Sequence, residues 1–105
     1  MTLTAPPSAP DVPELVLAVD EDELGIAGQF ALRHRLEQAL SSRPRSLTVD
    51  LGRCRYADAP GLGVLADAGR DAARQGTRLQ LRGCSTGVLR LIVVAGEAVH
   101  LSATA

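Results

Sequence analysis

Residues 46–75 read SLTVDLGRCRYADAPGLGVLADAGRDAARQ, and this stretch decides the fold. Every second residue from Leu47 to Leu51 is apolar, which predicts a β-strand with one buried face. After the connection 52–60, small and apolar residues recur at the period of an α-helix, namely Leu62, Leu65, Ala66, Gly69, Ala72 and Ala73. Gly76 follows where a left-handed helix cap would stand. A strand, a connection and a helix form the repeating unit of an α/β fold.

The same unit recurs before and after this stretch. Three alternating stretches predict strands, and three stretches at helical spacing predict helices; the strands lie at 14–20, 46–51 and 77–82, and the helices at 27–40, 61–75 and 85–96. Residues 98–102 can supply a last short strand or a docked tail. Strands that alternate with helices pair in parallel through crossover connections.

The second face of each predicted strand is polar. Thr48 and Asp50 alternate with the apolar residues of one strand, and Arg78 and Gln80 with those of the next. Strands covered by helices on both faces are apolar throughout. We therefore predict a two-layer α/β domain with a four- or five-stranded sheet, helices on one face and water on the other. This pattern excludes a doubly wound dinucleotide-binding fold.

Composition limits the classes of function. The chain has 105 residues, 46% of them hydrophobic, which indicates one globular domain over residues 14–105. Residues 1–13 contain four prolines and predict a flexible tail or an edge strand. A net charge of −1 and only two aromatic residues argue against a nucleic-acid partner. Because no secretory signal or bilayer-spanning run is present, we expect a cytoplasmic protein that does not insert into the membrane.

The sequence contains no complete motif for catalysis, for a cofactor or for a metal. Gly61–Ala66 fits G-x-G-x-x-A, but residues 52–60 separate it from the strand, so no cofactor is expected. His34 and Glu37 have the spacing of metal ligands, yet no third ligand accompanies them. Cys54 and Cys84 follow neighbouring strands and are interpreted as buried small side chains rather than a disulfide. We expect a protein that is not an enzyme.

The segment from Asp50 to Leu65 resembles the signature of STAS domains, which are named for sulphate transporters and anti-sigma factor antagonists. That signature is a strand ending in Asp-Leu, a short loop, and Asp-Ser-Ser/Thr-Gly-Leu-Gly-x-Leu at the start of a helix. The matching positions are Asp50, Asp58, Gly61, Leu62, Gly63 and Leu65. In element order the resemblance extends over roughly residues 14–100, and it implies a mixed sheet with helices on one face.

The resemblance implies a protein-binding module in bacterial signalling. Bacterial members bind an anti-sigma factor, which is also a Ser/Thr kinase-type ATPase, and thereby regulate transcription. That kinase phosphorylates the Ser or Thr just before the first Gly of the motif. Here Ala59 and Pro60 replace both hydroxyl residues, so the phospho-acceptor position is Pro60 and no acceptor remains. The resemblance also allows a scaffold subunit of a lipid-transport or stress-signalling assembly.

The predicted partner-binding residues surround the start of the central helix; they are Arg55, Asp58, Ala59, Pro60, Leu62 and Gly63. Two of them have a structural alternative, since Asp58 can cap the helix and Leu62 can pack in the core. Ser85 or Thr86 can cap the last helix or carry a regulatory phosphate. A small ligand or nucleotide on the open sheet face has little support.

Overall fold

A computed structural model describes residues 14–19, 23–24, 28–96 and 101–105 of the chain. The elements in chain order are β1 (Glu14–Ala18), β2 (Glu23–Leu24), α1 (Gln29–Ser41), β3 (Ser46–Asp50), β4 (Tyr56–Ala57), α2 (Ala59–Gln75), β5 (Arg78–Arg82), α3 (Thr86–Val94) and β6 (Ser102–Ala103). The three predicted strands and three predicted helices are thus present. The predicted tail at residues 1–13 and the start of the predicted last strand lie outside the described residues.

The principal sheet has four strands in the order β1-β3-β5-β6, all parallel. Leu15, Leu47 and Leu79 stand side by side in its register. A second, two-stranded sheet pairs β2 with β4, also in parallel. The expectation of four or five strands is confirmed. The resemblance implied a mixed sheet, whereas every pairing among the described residues is parallel. In the principal sheet this follows because a helix connects each strand to the next, so that all four strands run in the same direction.

Helices cover one face of the sheet and leave the other open, as the alternation predicted. Leu47, Val49 and Leu51 are fully buried beneath the helices, while Thr48 and Asp50 remain partly exposed. The open face also carries exposed apolar surface, since Val16 keeps 59% of its area accessible. Burial of one face therefore supplies the core, and the sheet keeps a polar outer surface.

The central helix α2 presents its small and apolar residues to the sheet and to α1. Its buried residues are Gly61, Leu62, Val64, Leu65, Ala66, Ala68, Gly69 and Ala72. The prediction that Ala73 belongs to this stripe is wrong: Ala73 is exposed, because the stripe turns toward α1 through Val64 and Ala68. None of the described helices is both long and apolar enough to cross a bilayer.

In α1 the buried residues are Leu32, Leu36 and Leu40, whereas Phe30 is 75% exposed. By helical spacing in the sequence, Phe30 is predicted to belong with Leu32, Leu36 and Leu40 to the apolar residues of this helix. It lies two positions before Leu32, which is about 200° around the helix axis, so it points away from the core.

The strand ends meet at one edge of the molecule, and the helices begin there. Because the strands are parallel, the carboxyl ends of β1, β3 and β5 share this edge, and α1, α2 and α3 begin beyond it. The loops after β3 and β5 touch: a Cβ on Gly83 would lie 2.9 Å from the Cα of Gly52, and Gly83 has φ of +73°. Glycine is required at this contact for both reasons.

Candidate functional site

Asp58 and Pro60 fix the start of α2. Asp58 has extended backbone angles, and its carboxylate accepts a hydrogen bond from the Gly61 N–H at 2.9 Å. Pro60 lies in the first turn, where a missing N–H leaves no bond broken. The helix cap that the sequence offered for Asp58 is therefore present. Contact of Asp58 with a partner stays a prediction.

The loop before α2 is tied to the start of α3. The Ser85 hydroxyl donates to the carbonyl oxygen of Arg55 at 3.3 Å and accepts from the Val88 N–H at 3.1 Å. Ser85 is thus the N-cap of α3, and Thr86 is an exposed residue in its first turn. One hydroxyl holds two segments of the same edge together.

Asp50 anchors the other side of the loop. Its carboxylate accepts from the Gly52 N–H at 2.8 Å and from Arg82 at 3.2 Å. The hydrogen bond from Gly52, with help from Arg82, lowers the pKa of Asp50 below its ordinary value. The ionised Asp50 carboxylate therefore connects the turn after β3 to β5, so Asp50 has a structural role at the end of β3.

Two buried cysteines lie under the loop. The Cys54 thiol donates to the carbonyl oxygen of Tyr56 at 3.1 Å. Cys54 and Cys84 are both buried and form no disulfide within the described residues, and burial raises the pKa of the Cys84 thiol. A buried, protonated thiol behaves as a small hydrophobic group, in agreement with the interpretation from the sequence.

The predicted site residues separate into a surface set and a buried one. Arg55, Asp58, Ala59 and Pro60 are exposed. Gly63 is half-buried, and a Cβ there would have no heavy atom within 4 Å outside its own helix turn. Leu62 is only 2% exposed and packs in the core, which is the structural role that the sequence left open.

Two exposed aromatic residues at this edge were not predicted as site residues. Tyr56 is 66% exposed in β4, and Phe30 lies in the first turn of α1. The pairing of β2 with β4 was not predicted, because two-residue strands give no alternation. One signal was available: Tyr56 stands in a polar segment between Arg55 and Asp58, where a core residue would be misplaced.

Candidate ligand positions elsewhere lack a built site. His34 and Glu37 are both exposed on α1, and no group of three His, Cys, Asp or Glu in the described part of the chain could hold a metal ion. A shallow depression of about 400 Å³ lies on the open sheet face at the far edge from α2's start, lined by Glu14, Arg45, Ser46, Gly76, Arg78 and Gln80. It lies where the strands begin, away from the residues that match the signature.

The fold is shared with several solved structures. SpoIIAA, an anti-sigma factor antagonist, matches in its unphosphorylated form with a TM-score of 0.71 and 16% identity, over 90% of this chain and 84% of that one. Its phosphorylated form, from Bacillus, matches with a TM-score of 0.67, 15% identity and coverage of 90% and 86%. A putative anti-sigma factor antagonist from Thermotoga maritima gives 0.72, 14% identity and coverage of 84% and 77%.

A sulfate transporter family protein from Wolinella succinogenes gives a TM-score of 0.68 and 19% identity, covering 87% of this chain and 79% of that one. No curated protein matches the chain in sequence. The family model described as "Mlab, STAS domain" matches residues 11–99, which is most of the chain. The chain therefore belongs to the STAS domain family.

Proposed function

We propose that this protein is a docking module that binds a protein partner through the start of α2 and is not switched by phosphorylation there. The proposed partner is an anti-sigma factor of the kinase-type ATPase class, in the bacterial cytoplasm, and the proposed outcome is regulation of transcription. The observation that carries the proposal is Pro60, which is exposed in the first turn of α2. The resemblance to STAS antagonists assigns the phospho-acceptor to this position.

Proline at position 60 is compatible with the start of α2 but has no hydroxyl group that could accept a phosphate. SpoIIAA has been solved in unphosphorylated and phosphorylated forms. A phosphate adds about −1.5 to −2 charges to a surface, but residues 52–66 of this chain contain no Ser or Thr. The surface around Pro60 therefore cannot gain the charge of a phosphoserine or phosphothreonine, and a partner would always meet it without phosphate. Regulation would then depend on the amount of protein.

The hydrogen bonds that hold the site together also support docking. Asp50, Asp58 and Ser85 each hold a backbone group of the loop or of a helix start, at 2.8–3.3 Å. The exposed side chains Arg55 and Pro60 stand on this fixed backbone. A surface that is already ordered loses less conformational entropy when it binds.

Co-purification of the full-length tagged protein from its own cells tests the docking proposal. Gly63→Arg places a long side chain in open space beside Pro60, so the fold should be preserved and the partner lost. Ala73→Arg makes the same addition on the exposed far end of α2 and is the matched control. Retention of the partner by Gly63→Arg, or its loss from Ala73→Arg, would contradict docking at the start of α2.

Labelled ATP tests the absence of a switch. We expect the co-purified partner to transfer no phosphate to residues 52–66 of the wild-type protein. Pro60→Ser restores the hydroxyl, and this variant should take up phosphate and then release the partner. Phosphate within residues 52–66 of the wild-type protein would overturn the proposal.

A second candidate is a fixed subunit of a larger assembly, such as a lipid-transport or stress-signalling complex. The similarity to a sulfate transporter family protein favours it, since STAS domains also occur outside antagonists. A helix start without a phospho-acceptor suits a permanent contact equally well. Identification of the co-purified protein as a membrane ATPase, or as a large multimer, would select this candidate over an anti-sigma factor.

A further inference from the structure

The two aromatic residues of the chain take no part in its core. Phe30 and Tyr56 are 75% and 66% exposed, while the buried side chains of the core cluster are aliphatic or cysteine. Folding therefore does not explain why a chain so poor in aromatic residues has them at these two positions. Exposed aromatic side chains are characteristic anchors of protein interfaces, where each fills a pocket of the partner.

Phe30 lies one turn before Arg33, which belongs to the flank of α1 that faces α2. A guanidinium nitrogen of Arg33, one turn later on this flank, lies 3.4 Å from the carboxylate of Asp67 on α2. Gly63 lies one turn before Asp67, just as Phe30 lies one turn before Arg33. The two helices both begin at the edge where the strands end, so the turn with Phe30 and the turn with Gly63 are the first turns of two neighbouring helices.

Tyr56 lies on the segment that leads into α2. It lies in β4, two residues before Asp58, and pairs with Glu23 of β2, the strand that precedes α1. Tyr56 therefore stands close in the chain to Pro60, at the start of α2, and beside the strand that precedes the helix of Phe30.

The loop between β3 and β4 carries two arginines. Arg53 and Arg55 are exposed and make no ion pair within the described part of the chain. Between α1 and α2, in contrast, the arginines are paired, because Arg33 and Arg70 both contact the carboxylate of Asp67. The nearest carboxylate in the loop, Asp58, is already directed to the Gly61 N–H.

We propose that Phe30 and Tyr56 are the two aromatic anchors of the docking surface, and that its partner is a protein with apolar pockets rimmed by carboxylates. This proposal rests on the proposed function and extends its surface across the groove to α1. Each aromatic ring would bury its exposed area in a pocket, while Arg53 and Arg55 attract the acidic rim and speed the encounter.

The test uses the full-length protein and the partner that co-purifies with it. Phe30→Ala and Tyr56→Ala should each weaken binding more than tenfold, and the double variant Arg53→Glu/Arg55→Glu should slow association more than tenfold at low salt. The matched controls are Val16→Ala and Arg45→Glu, an exposed apolar residue and an exposed arginine remote from the surface. Both should change binding less than twofold, with thermal unfolding of all variants near wild type.

The outcomes separate the inference from the proposed function. If Gly63→Arg abolishes binding while Phe30→Ala and Tyr56→Ala leave it unchanged, the aromatic anchors are wrong and docking at α2 stands. If Gly63→Arg also binds normally, or the wild-type protein retains no partner, both proposals are overturned. Unchanged association of the arginine variant would contradict the acidic rim.

Two other occupants of the surface are tested with the same variants. Sedimentation of the wild-type protein with phosphatidylglycerol vesicles, lost in Phe30→Ala, would replace the protein partner by an anionic membrane. A dimer in solution that Phe30→Ala dissociates would replace it by a second copy of the chain. Either result would overturn the proposal, which expects a monomer that does not sediment with vesicles.

Discussion

The two ends of α2 differ in how their charged and polar groups are paired. Toward its end, Arg70 and Arg74 each contact an aspartate of the same helix at 2.6 Å, and the N–H of Gly76, at φ of +82°, bonds the last turn. At its start, Asp58 bonds the backbone, and Pro60 is exposed without any polar function. The nearby Arg55 makes no ion pair within the described residues.

This difference indicates which end serves the fold and which end is available to another molecule. The last turns of α2 satisfy their charges internally, so a partner would have to break ion pairs to bind there. At the start of α2, Asp58 satisfies a backbone N–H, while Pro60 in the first turn and Arg55 in the preceding loop keep exposed side chains. A docking surface at the start of α2 therefore costs the folded protein few of its own contacts.

The largest expected effect on stability concerns the buried side chains in the first turns of α2. Leu62→Ala should lower the free energy of unfolding by about 2–5 kcal/mol, the usual cost of a buried leucine, and Leu65→Ala should do the same because it is equally buried. Urea denaturation measures both. A much smaller loss for Leu62→Ala, together with weaker binding by the folded variant, would move Leu62 from the core to the docking surface.

The next effect concerns the cap of α2. Asp58→Ala should lower the free energy of unfolding by about 1 kcal/mol, because the Gly61 N–H loses its acceptor. Asp58→Asn keeps an acceptor oxygen and should recover most of this loss. If both variants are as stable as wild type, the cap is not what holds the helix start. If Asp58→Asn is stable but binds the partner poorly, Asp58 also contacts the partner.

The smallest effect concerns the charges between the two helices. The hydrogen bond from Arg70, with a second from Arg33, lowers the pKa of Asp67 below its ordinary value. The folded state thus favours the ionised carboxylate, and this stability is present above about pH 4 and is lost as the pH falls through the lowered pKa. Because the side chain is 45% exposed, we expect only a few tenths of a kcal/mol.

Unfolding measured from pH 6 to pH 2 checks this contribution. Asp67→Asn should lose that part of the acid dependence and be slightly less stable than wild type at pH 6. An acid dependence identical to that of wild type would show that the ion pairs of Asp67 contribute nothing.

Local rules predicted most of the fold. Alternation located β1, β3 and β5, and helical spacing located the three helices. Three residues were predicted from their chemistry alone: the cap at Asp58, the αL position at Gly76, and Ser85 as one of two candidate caps. Each depends on contacts within a few residues, which a sequence displays directly.

Packing between elements was harder to predict. Ala73 was placed in the buried stripe of α2 and Phe30 among the apolar residues of α1, yet both are exposed. Which flank of a helix is buried depends on where the neighbouring helix lies, and here α1 and α2 pack against each other as well as on the sheet. The pairing of β2 with β4 is equally non-local, because its residues are far apart in the chain and too few to alternate.

Hydrogen exchange of the protein alone and bound to its co-purified partner tests the central claim most directly. Docking at the start of α2 predicts slower exchange in residues 53–64 and in the first turn of α1, with residues 70–76 unchanged. Slower exchange confined to the open face of β1, β3 and β5, or to the last turns of α2, would contradict it.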